Sequence, residues 1–150
     1  MKILVISDSH GQLANLKHVL GFAQKSGVKA IIHCGDWDNW EMVEEILKWK
    51  VPLYTVLGNA DIEPKLQNFS GEYLNLKLGG KKIGVVHRPA DIKKYFTPGE
   101  VNVVFCGHLH SPDDQIVFGI RVVRPGALIK GINFAIYDTM SDQIEFFQDG

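Results

Sequence analysis

The stretch KILVISDSHG, residues 2–11, decides how the rest of the chain is read. Lys2–Ser7 is a short, continuous apolar run, the pattern of a strand buried on both faces. It stops at Asp8-Ser9-His10-Gly11, where side chains with metal-binding atoms replace apolar ones. The same transition recurs along the chain. Ala30–Cys34 ends in Gly35-Asp36, and Leu53–Leu57 ends in Gly58-Asn59-Ala60-Asp61. Lys82–Val86 ends in His87, and Val101–Cys106 ends in Gly107-His108-Leu109-His110. In α/β sheets ligands bind in the crevice beyond the carboxyl ends of the strands, so these five segments are expected to converge there.

The intervening segments set the architecture. Asn15–Lys25 carries Leu16, Val19, Leu20 and Ala23 at helical spacing and ends at Ser26-Gly27. Trp40, Val43, Ile46 and Leu47 mark a second helix, with Pro52 just beyond its end. A βαβαβ order implies a parallel sheet with right-handed crossovers. The second half is mostly strand. Tyr73, Leu74, Leu76 and Leu78 lead into Gly79-Gly80 and then Lys82–Val86, a hairpin with a two-residue turn. A short helix is expected over Ala90–Phe96, with further strands at Gln115–Phe118, Arg121–Val123, Asn133–Tyr137 and Gln143–Phe147. Without a linker, repeat or low-complexity segment, residues 1–150 read as one domain. The economical architecture is α/β, two packed sheets flanked by helices.

Composition narrows the function classes. The chain has 150 residues, 45 % hydrophobic and 22 % charged, ordinary values for a globular domain. A net charge of −1 argues against a strongly basic nucleic-acid binder. Cys34 and Cys106 each end an apolar run and read as buried thiols of a reducing compartment. Met1-Lys2 leads straight into an apolar run too short for a signal core, and no stretch approaches a membrane span. These features predict a cytoplasmic protein.

Asp oxygens and His nitrogens are good ligands for Mn²⁺, Fe²⁺, Ni²⁺ or Zn²⁺, and an Asn carbonyl is a weak neutral one. Glycines beside them let the backbone turn tightly. Asp8 and His10, like His108 and His110, are two apart and face one way in extended chain. Singly, each has a plainer reading: a strand-end aspartate is often a helix N-cap, a lone histidine is often packed, and Gly-Asn often marks a turn. Yet four of the six histidines lie at these strand ends, and five independent coincidences in order would be needed.

The ordered set Asp8-x-His10, Gly35-Asp36, Gly58-Asn59-x-Asp61, His87 and Gly107-His108-x-His110 resembles the calcineurin-like metallophosphoesterase superfamily, and within it the small bacterial and archaeal phosphodiesterases. The resemblance runs from Met1 to about Ala127, where Arg124-Pro125-Gly126-Ala127 resembles the family's late Asn-Pro-Gly-Ser segment. It implies a four-layer αββα sandwich of two mixed β-sheets flanked by helices. It also implies a first divalent ion on Asp8, His10, Asp36 and His110, and a second on Asp36, Asn59, His87 and His108. Asp36 would bridge them, and a water or hydroxide between them would attack phosphorus in line. Mn²⁺ is the first expectation, with Ni²⁺, Fe²⁺, Zn²⁺ and Mg²⁺ as alternatives. Asp36, Asn59 and Asp61 are the catalytic candidates, with Asp61 either orienting a ligand or fixing the turn.

Three positions depart from the family pattern. Ala60 stands where larger relatives carry a histidine thought to act as general acid. His87-Arg88-Pro89 stands where relatives usually have His-Gly, and Arg88 is either a solvated residue or a partner for substrate phosphate beside Asn59. Ala127 replaces a small Ser or Thr. Two divalent ions bring about +4, and Asp8, Asp36 and a hydroxide remove about 3, leaving about +1, which suits a phosphodiester monoanion. The expected substrate is therefore a small phosphodiester. A phosphomonoesterase and a non-catalytic scaffold like a retromer subunit are the alternatives. A repair-type nuclease would need further domains, and no stable nucleic-acid complex is expected. An apolar edge in the second sheet would support a homo-oligomer. Trp37 is expected at the site mouth and Trp40 and Trp49 between helix and sheet. His18 and His33 read as structural, Lys81-Lys82 as a solvated tip, and Glu41, Glu44 and Glu45 as a solvated face.

Overall fold

The computed structural model describes residues 1–148. The first half runs β1 (Lys2–Ile6), α1 (Leu13–Lys25), β2 (Val28–His33), α2 (Trp40–Leu47), β3 (Leu53–Thr55) and α3 (Pro64–Phe69). The second runs β4 (Tyr73–Leu78), β5 (Lys81–Val86), a 3₁₀ turn at Pro89–Asp91, α4 (Ile92–Tyr95), β6 (Val103–Phe105), β7 (Asp113–Val117), β8 (Ile120–Arg124), β9 (Phe134–Asp138) and β10 (Gln143–Phe147). Two five-stranded sheets result, ordered β10-β9-β1-β2-β3 and β4-β5-β6-β8-β7. Both are mixed. β1, β2 and β3 are parallel, as are β5, β6 and β8, while β9, β10, β4 and β7 pair antiparallel.

Alternation along β1 explains the layers, because successive side chains face opposite sides of a sheet. Leu4 and Ile6 face α1 and α2, packing with Leu16, Val19, Met42 and Ile46. Ile3 and Val5 face the other sheet, packing with Val85, Val103 and Phe105. Beyond the second sheet, Val86, Val104 and Val122 meet Ile92 and Phe96 of the α4 segment. The order is thus helix, sheet, sheet, helix, as the resemblance implied. β1 sits between helices and a second sheet, which is why it reads as an unbroken apolar run.

Most elements fall where the sequence places them, with shifted ends. The Gly79-Gly80 turn closes the hairpin, with Leu78 opposite Lys81. β3 is shorter than expected, and Val56 continues only as a bridge to Gly71. Helix α3 is absent from the sequence reading, because six residues burying only Leu66 carry too little periodicity. The helix expected over Ala90–Phe96 splits into the 3₁₀ turn and one turn of α-helix. Trp40 and Trp49 pack against the core as expected. Glu45 is less free than expected, meeting Lys48 at 2.8 Å and Lys17 at 3.9 Å. Edge strand β7 exposes Ile116, and the turn after it exposes Phe118. No described helix is long and apolar enough to cross a membrane.

The α4 segment comes nearest to the β5 backbone at Gly84. A Cβ on Gly84 would lie 2.6 Å from Cε1 of Phe96. Gly84→Ala should therefore destabilise the fold by about 1–3 kcal/mol, measured as a lower urea midpoint at unchanged slope. An unshifted midpoint would show that α4 rides loosely on the sheet.

Candidate metal centre

The carboxyl ends of β1, β2, β3, β5 and β6 meet at one edge of the sandwich. Asp8 is fully buried there. Its Oδ2 accepts the Ser7 hydroxyl at 2.6 Å and the His108 amide at 3.1 Å. Its Oδ1 is buried without a hydrogen-bond partner among the described residues. Three imidazole Nε2 atoms surround that oxygen: His110 at 3.6 Å, His10 at 3.8 Å and His87 at 4.0 Å. Asp36, also buried, accepts the Ala60 amide through Oδ1 at 2.8 Å. Its Oδ2 faces His87 Nε2 at 3.2 Å and His10 Nε2 at 3.4 Å, so Asp36 reaches both sets of histidines.

Hydrogen bonds behind the rings fix which nitrogen faces inward. His87 Nδ1 lies 2.7 Å from the Cys34 carbonyl, an acceptor, so Nδ1 carries the proton. Nε2 then presents its lone pair to Asp36 Oδ2 and to Asn59 Oδ1 at 3.1 Å, both acceptors as well. Lone pairs converging on one point require positive charge between them, either a proton or a cation. His10 Nδ1 likewise meets Asp38 Oδ1 at 2.9 Å, leaving Nε2 for the centre. A carboxylate or carbonyl behind the imidazole is the usual way a metal-ligating histidine is oriented. The donor set therefore fits divalent cations. Asp8, His10 and His110 form one group with ligand atoms within 4.8 Å of each other, and Asp8, Asp36 and His87 form another. His108 lies outside both. Its exposed ring stands 5.3 Å from that of His87.

The two carboxylates differ electrostatically. Burial pushes Asp8 up, and the Ser7 hydroxyl only partly opposes it. Burial also pushes Asp36 up, but the His87 bond, the Ala60 amide and His10 outweigh it and hold this carboxyl well below the usual range. Burial lowers His87, yet Asp36 overrides that and its pKa is raised.

Neither aspartate is a helix N-cap. Gln12 and Asn39 precede α1 and α2, without side-chain capping bonds. The backbone turns occur at the candidate ligands themselves: Asp8, His10, Asp36 and His108 have φ of 51°, 41°, 66° and 70°. Such left-handed residues cluster where a site over-determines them. The glycines beside them serve in two ways: Gly11 and Gly35 turn the backbone as expected, with φ of 71° and 100°. Gly58 and Gly107 supply space, since a Cβ would fall 2.1 Å from Asp36 Oδ1 or 2.0 Å from Ser7 Oγ.

Asp61 is buried, and its carboxylate accepts four amides: Gly58 at 2.8 Å, Trp37 at 2.7 Å, Asp36 at 2.9 Å and Asp38 at 3.1 Å. These bonds tie the Gly58 turn to the backbone that carries Asp36. Trp37 does not line the site mouth. It is 1 % exposed, stacked 3.6 Å from the His33 ring, with Nε1–H donating to Thr55. Its indole is apolar enough to be drawn under the loop instead. His33 accepts the Gly35 amide at Nδ1, so its Nε2–H donates to Ser9 Oγ at 2.9 Å, tying the β1 and β2 loops together. Asp38 and His33 were not singled out as functional from sequence. Only the proximity of Asp38 to Asp36 hinted at its role. Arg88 is exposed, follows His87 directly and lines a cavity with Asn59 and His87. Cys34 and Cys106 are free and buried, and burial pushes the Cys106 thiol up to about 12.

Residues 1–142 match the model of the calcineurin-like phosphoesterase superfamily domain. A phosphodiesterase of Methanocaldococcus jannaschii is 25 % identical over 138 residues, covering 84 % of this chain and 83 % of that one. An archaeal phosphodiesterase structure superposes with a TM-score of 0.84 at 21 % identity, over 98 % of this chain and 99 % of that one. A Thermotoga maritima protein superposes at 0.74 with 26 % identity, over 99 % and 98 %. Vps29 of Entamoeba histolytica, complexed with zinc, superposes at 0.72 with 19 % identity, over 97 % and 90 %. Its fold and the family match together make this chain a member of the calcineurin-like phosphoesterase superfamily, metal-dependent hydrolases of phosphoesters.

Proposed function

We propose that the protein is a phosphodiesterase with two divalent ions, held by Asp8, His10, Asp36 and His110 and by Asp36, Asn59, His87 and His108. The observation that carries this reading is Asp8 Oδ1, buried, without a hydrogen-bond partner among the described residues and ringed by three imidazole nitrogens. His108, outside both clusters, is assigned on the family motif. Two such ions lower the pKa of a shared water and stabilise the charge that develops at phosphorus. The chain's own groups do the rest. Cys34 O and Asp38 accept from Nδ1–H of His87 and His10, so Nε2 is the nitrogen that each ring turns toward the centre. Asp61 fixes the loops that carry Asp36 and Asn59. Asn59 and Arg88 are placed to hold phosphoryl oxygens, Arg88 having no ion-pair partner among the described residues.

The residual charge of about +1 favours a diester monoanion over a monoester. The named activity of the M. jannaschii relative supports the same choice. Ala60 offers no imidazole for leaving-group protonation, so diesters with acidic leaving alcohols are the better substrates. The Vps29 likeness concerns the fold, and the seven filled ligand positions favour catalysis over a scaffold role. We infer Mn²⁺ as the metal and the cytoplasm as the setting, in keeping with two unpaired buried thiols.

Calorimetric titration of metal-stripped protein with Mn²⁺ should give two ions per chain. Asp36→Asn should lower kcat on bis(4-nitrophenyl) phosphate by about a thousandfold, with the circular-dichroism melt retained. Full activity in that variant, or one ion per chain, rejects the two-metal reading. A parallel assay on 4-nitrophenyl phosphate should give the lower kcat/KM. Proton competition supplies a third measurement. The raised pKa of His87 means that falling pH protonates Nε2 and weakens metal binding. The apparent Mn²⁺ affinity should fall as pH falls through the range in which the His87 imidazole takes up its proton, and a flat profile would exclude His87 as a ligand.

A further inference from the structure

A cavity of about 310 Å³ opens directly beside the metal centre, and Asn59 and His87 belong to both. Its remaining wall holds two cations, Arg88 and Lys94, and two carboxylates, Glu72 and Asp91. The Asp61 carboxylate borders it as well but is already taken up by backbone amides. Tyr95 donates its hydroxyl to Glu72 at 2.7 Å and stacks 4.1 Å from the ring of Tyr73, so this wall is braced. Lys94 Nζ lies 5.3 Å from the Tyr95 ring centroid, on the same surface. The lining thus mixes hydrogen-bonding and charged side chains of both signs with the apolar Leu57, Ile62 and Val86. An anionic group would meet Glu72 and Asp91, and a wholly apolar group would cover the charged side chains of the wall without offering them hydrogen bonds. A group carrying hydroxyls satisfies both kinds of wall residue. The volume admits a glycerol- or pentose-sized group and far exceeds what a methyl ester fills.

We propose that this cavity binds one ester group of the substrate, and that the group is uncharged and hydroxyl-rich, of the glycerol or sugar type. Glu72 and Asp91 accept from its hydroxyls, and Lys94 donates to them. Arg88, next to His87, faces the phosphate end. The substrate class rests on the phosphodiesterase reading above. Part of the wall follows His87 directly: Pro89 opens the 3₁₀ turn at Pro89–Asp91, and α4 follows with Lys94 and Tyr95. Pro at the first position of a helical turn presets its φ.

The test uses Mn²⁺-loaded protein and two diesters with one leaving group, 4-nitrophenyl glyceryl phosphate and 4-nitrophenyl propyl phosphate. They differ only in two hydroxyls. A site that hydrogen-bonds hydroxyls discriminates against the analogue lacking them, and this open cavity should favour the glyceryl ester in kcat/KM by about tenfold. In a Glu72→Gln, Lys94→Met double variant, both exposed positions, the preference should shrink to about twofold. Calorimetric binding of glycerol 1-phosphate against propyl phosphate should show the same ratio and the same loss. Equal use of the two diesters, or a preference that survives the double variant, overturns the proposal while leaving phosphodiesterase activity standing. If neither diester is hydrolysed, the phosphodiesterase reading fails. The binding ratio then decides the cavity alone, and equal affinities overturn it.

Discussion

Two carboxylates buried at neighbouring strand ends are the constraint around which the rest is arranged. Asp8 is inaccessible and Asp36 nearly so. Taking one carboxylate out of water is costly, and taking two out side by side adds their repulsion. The fold answers with opposite dipoles and protons. Ser7 and the His108 amide serve one Asp8 oxygen, and the Ala60 amide serves one Asp36 oxygen. Each aspartate then keeps one oxygen turned inward, toward imidazole nitrogens. The raised Asp8 and the depressed Asp36 show that compensation within the protein is uneven. A divalent cation held there would offset the imbalance at Asp8 Oδ1, which has no hydrogen-bond partner among the described residues.

That arrangement depends on the packing of two sheets. β1 lies in the middle of its sheet and is buried on both faces, so its register is fixed by Ile3 and Val5 on one side and Leu4 and Ile6 on the other. A slip of one residue would exchange the two faces and withdraw Asp8 from the centre. From there the loops are locked laterally. His33 joins the β1 loop to the β2 loop, and Asp61 joins the β2 loop to the β3 loop. The left-handed residues are held by these bonds. Their strain is of the order of a kcal/mol each and is tolerable only because surrounding contacts leave no alternative.

The strands and the convergence of their ends were legible because both rest on local signals. Continuous apolar runs mark strands buried on two faces, and Gly79-Gly80 marks the hairpin. The polar clusters were legible as a site because they stand where apolar runs stop. Three features were not legible. Helix α3 buries one residue, so no periodicity announces it. Trp37 follows Asp36 in sequence but turns the opposite way, because the left-handed φ of Asp36 and Asp38 reverses the chain on either side of it. The support given by His33 and Asp38 is tertiary: a histidine in a strand gives no sign that its ring reaches a loop 24 residues away.

The division between what was legible and what was not follows a physical line. The candidate ligands sit on strands whose positions are dictated by a core with little freedom. The cavity beside them is walled by α3, a 3₁₀ turn and one turn of α4, elements too short to be stable alone. They are held by a few contacts, such as Phe96 on Gly84 and Tyr95 on Tyr73. Substitutions there change the shape and charge of the cavity without moving the carboxylates. Arg88-Pro89 after His87 lies at such a place: the His87 ring is bonded to Cys34 O, and Pro89 opens the 3₁₀ turn that follows. A fold built this way can hold the carboxylates at its strand ends fixed while the short elements beside them reshape the adjoining cavity.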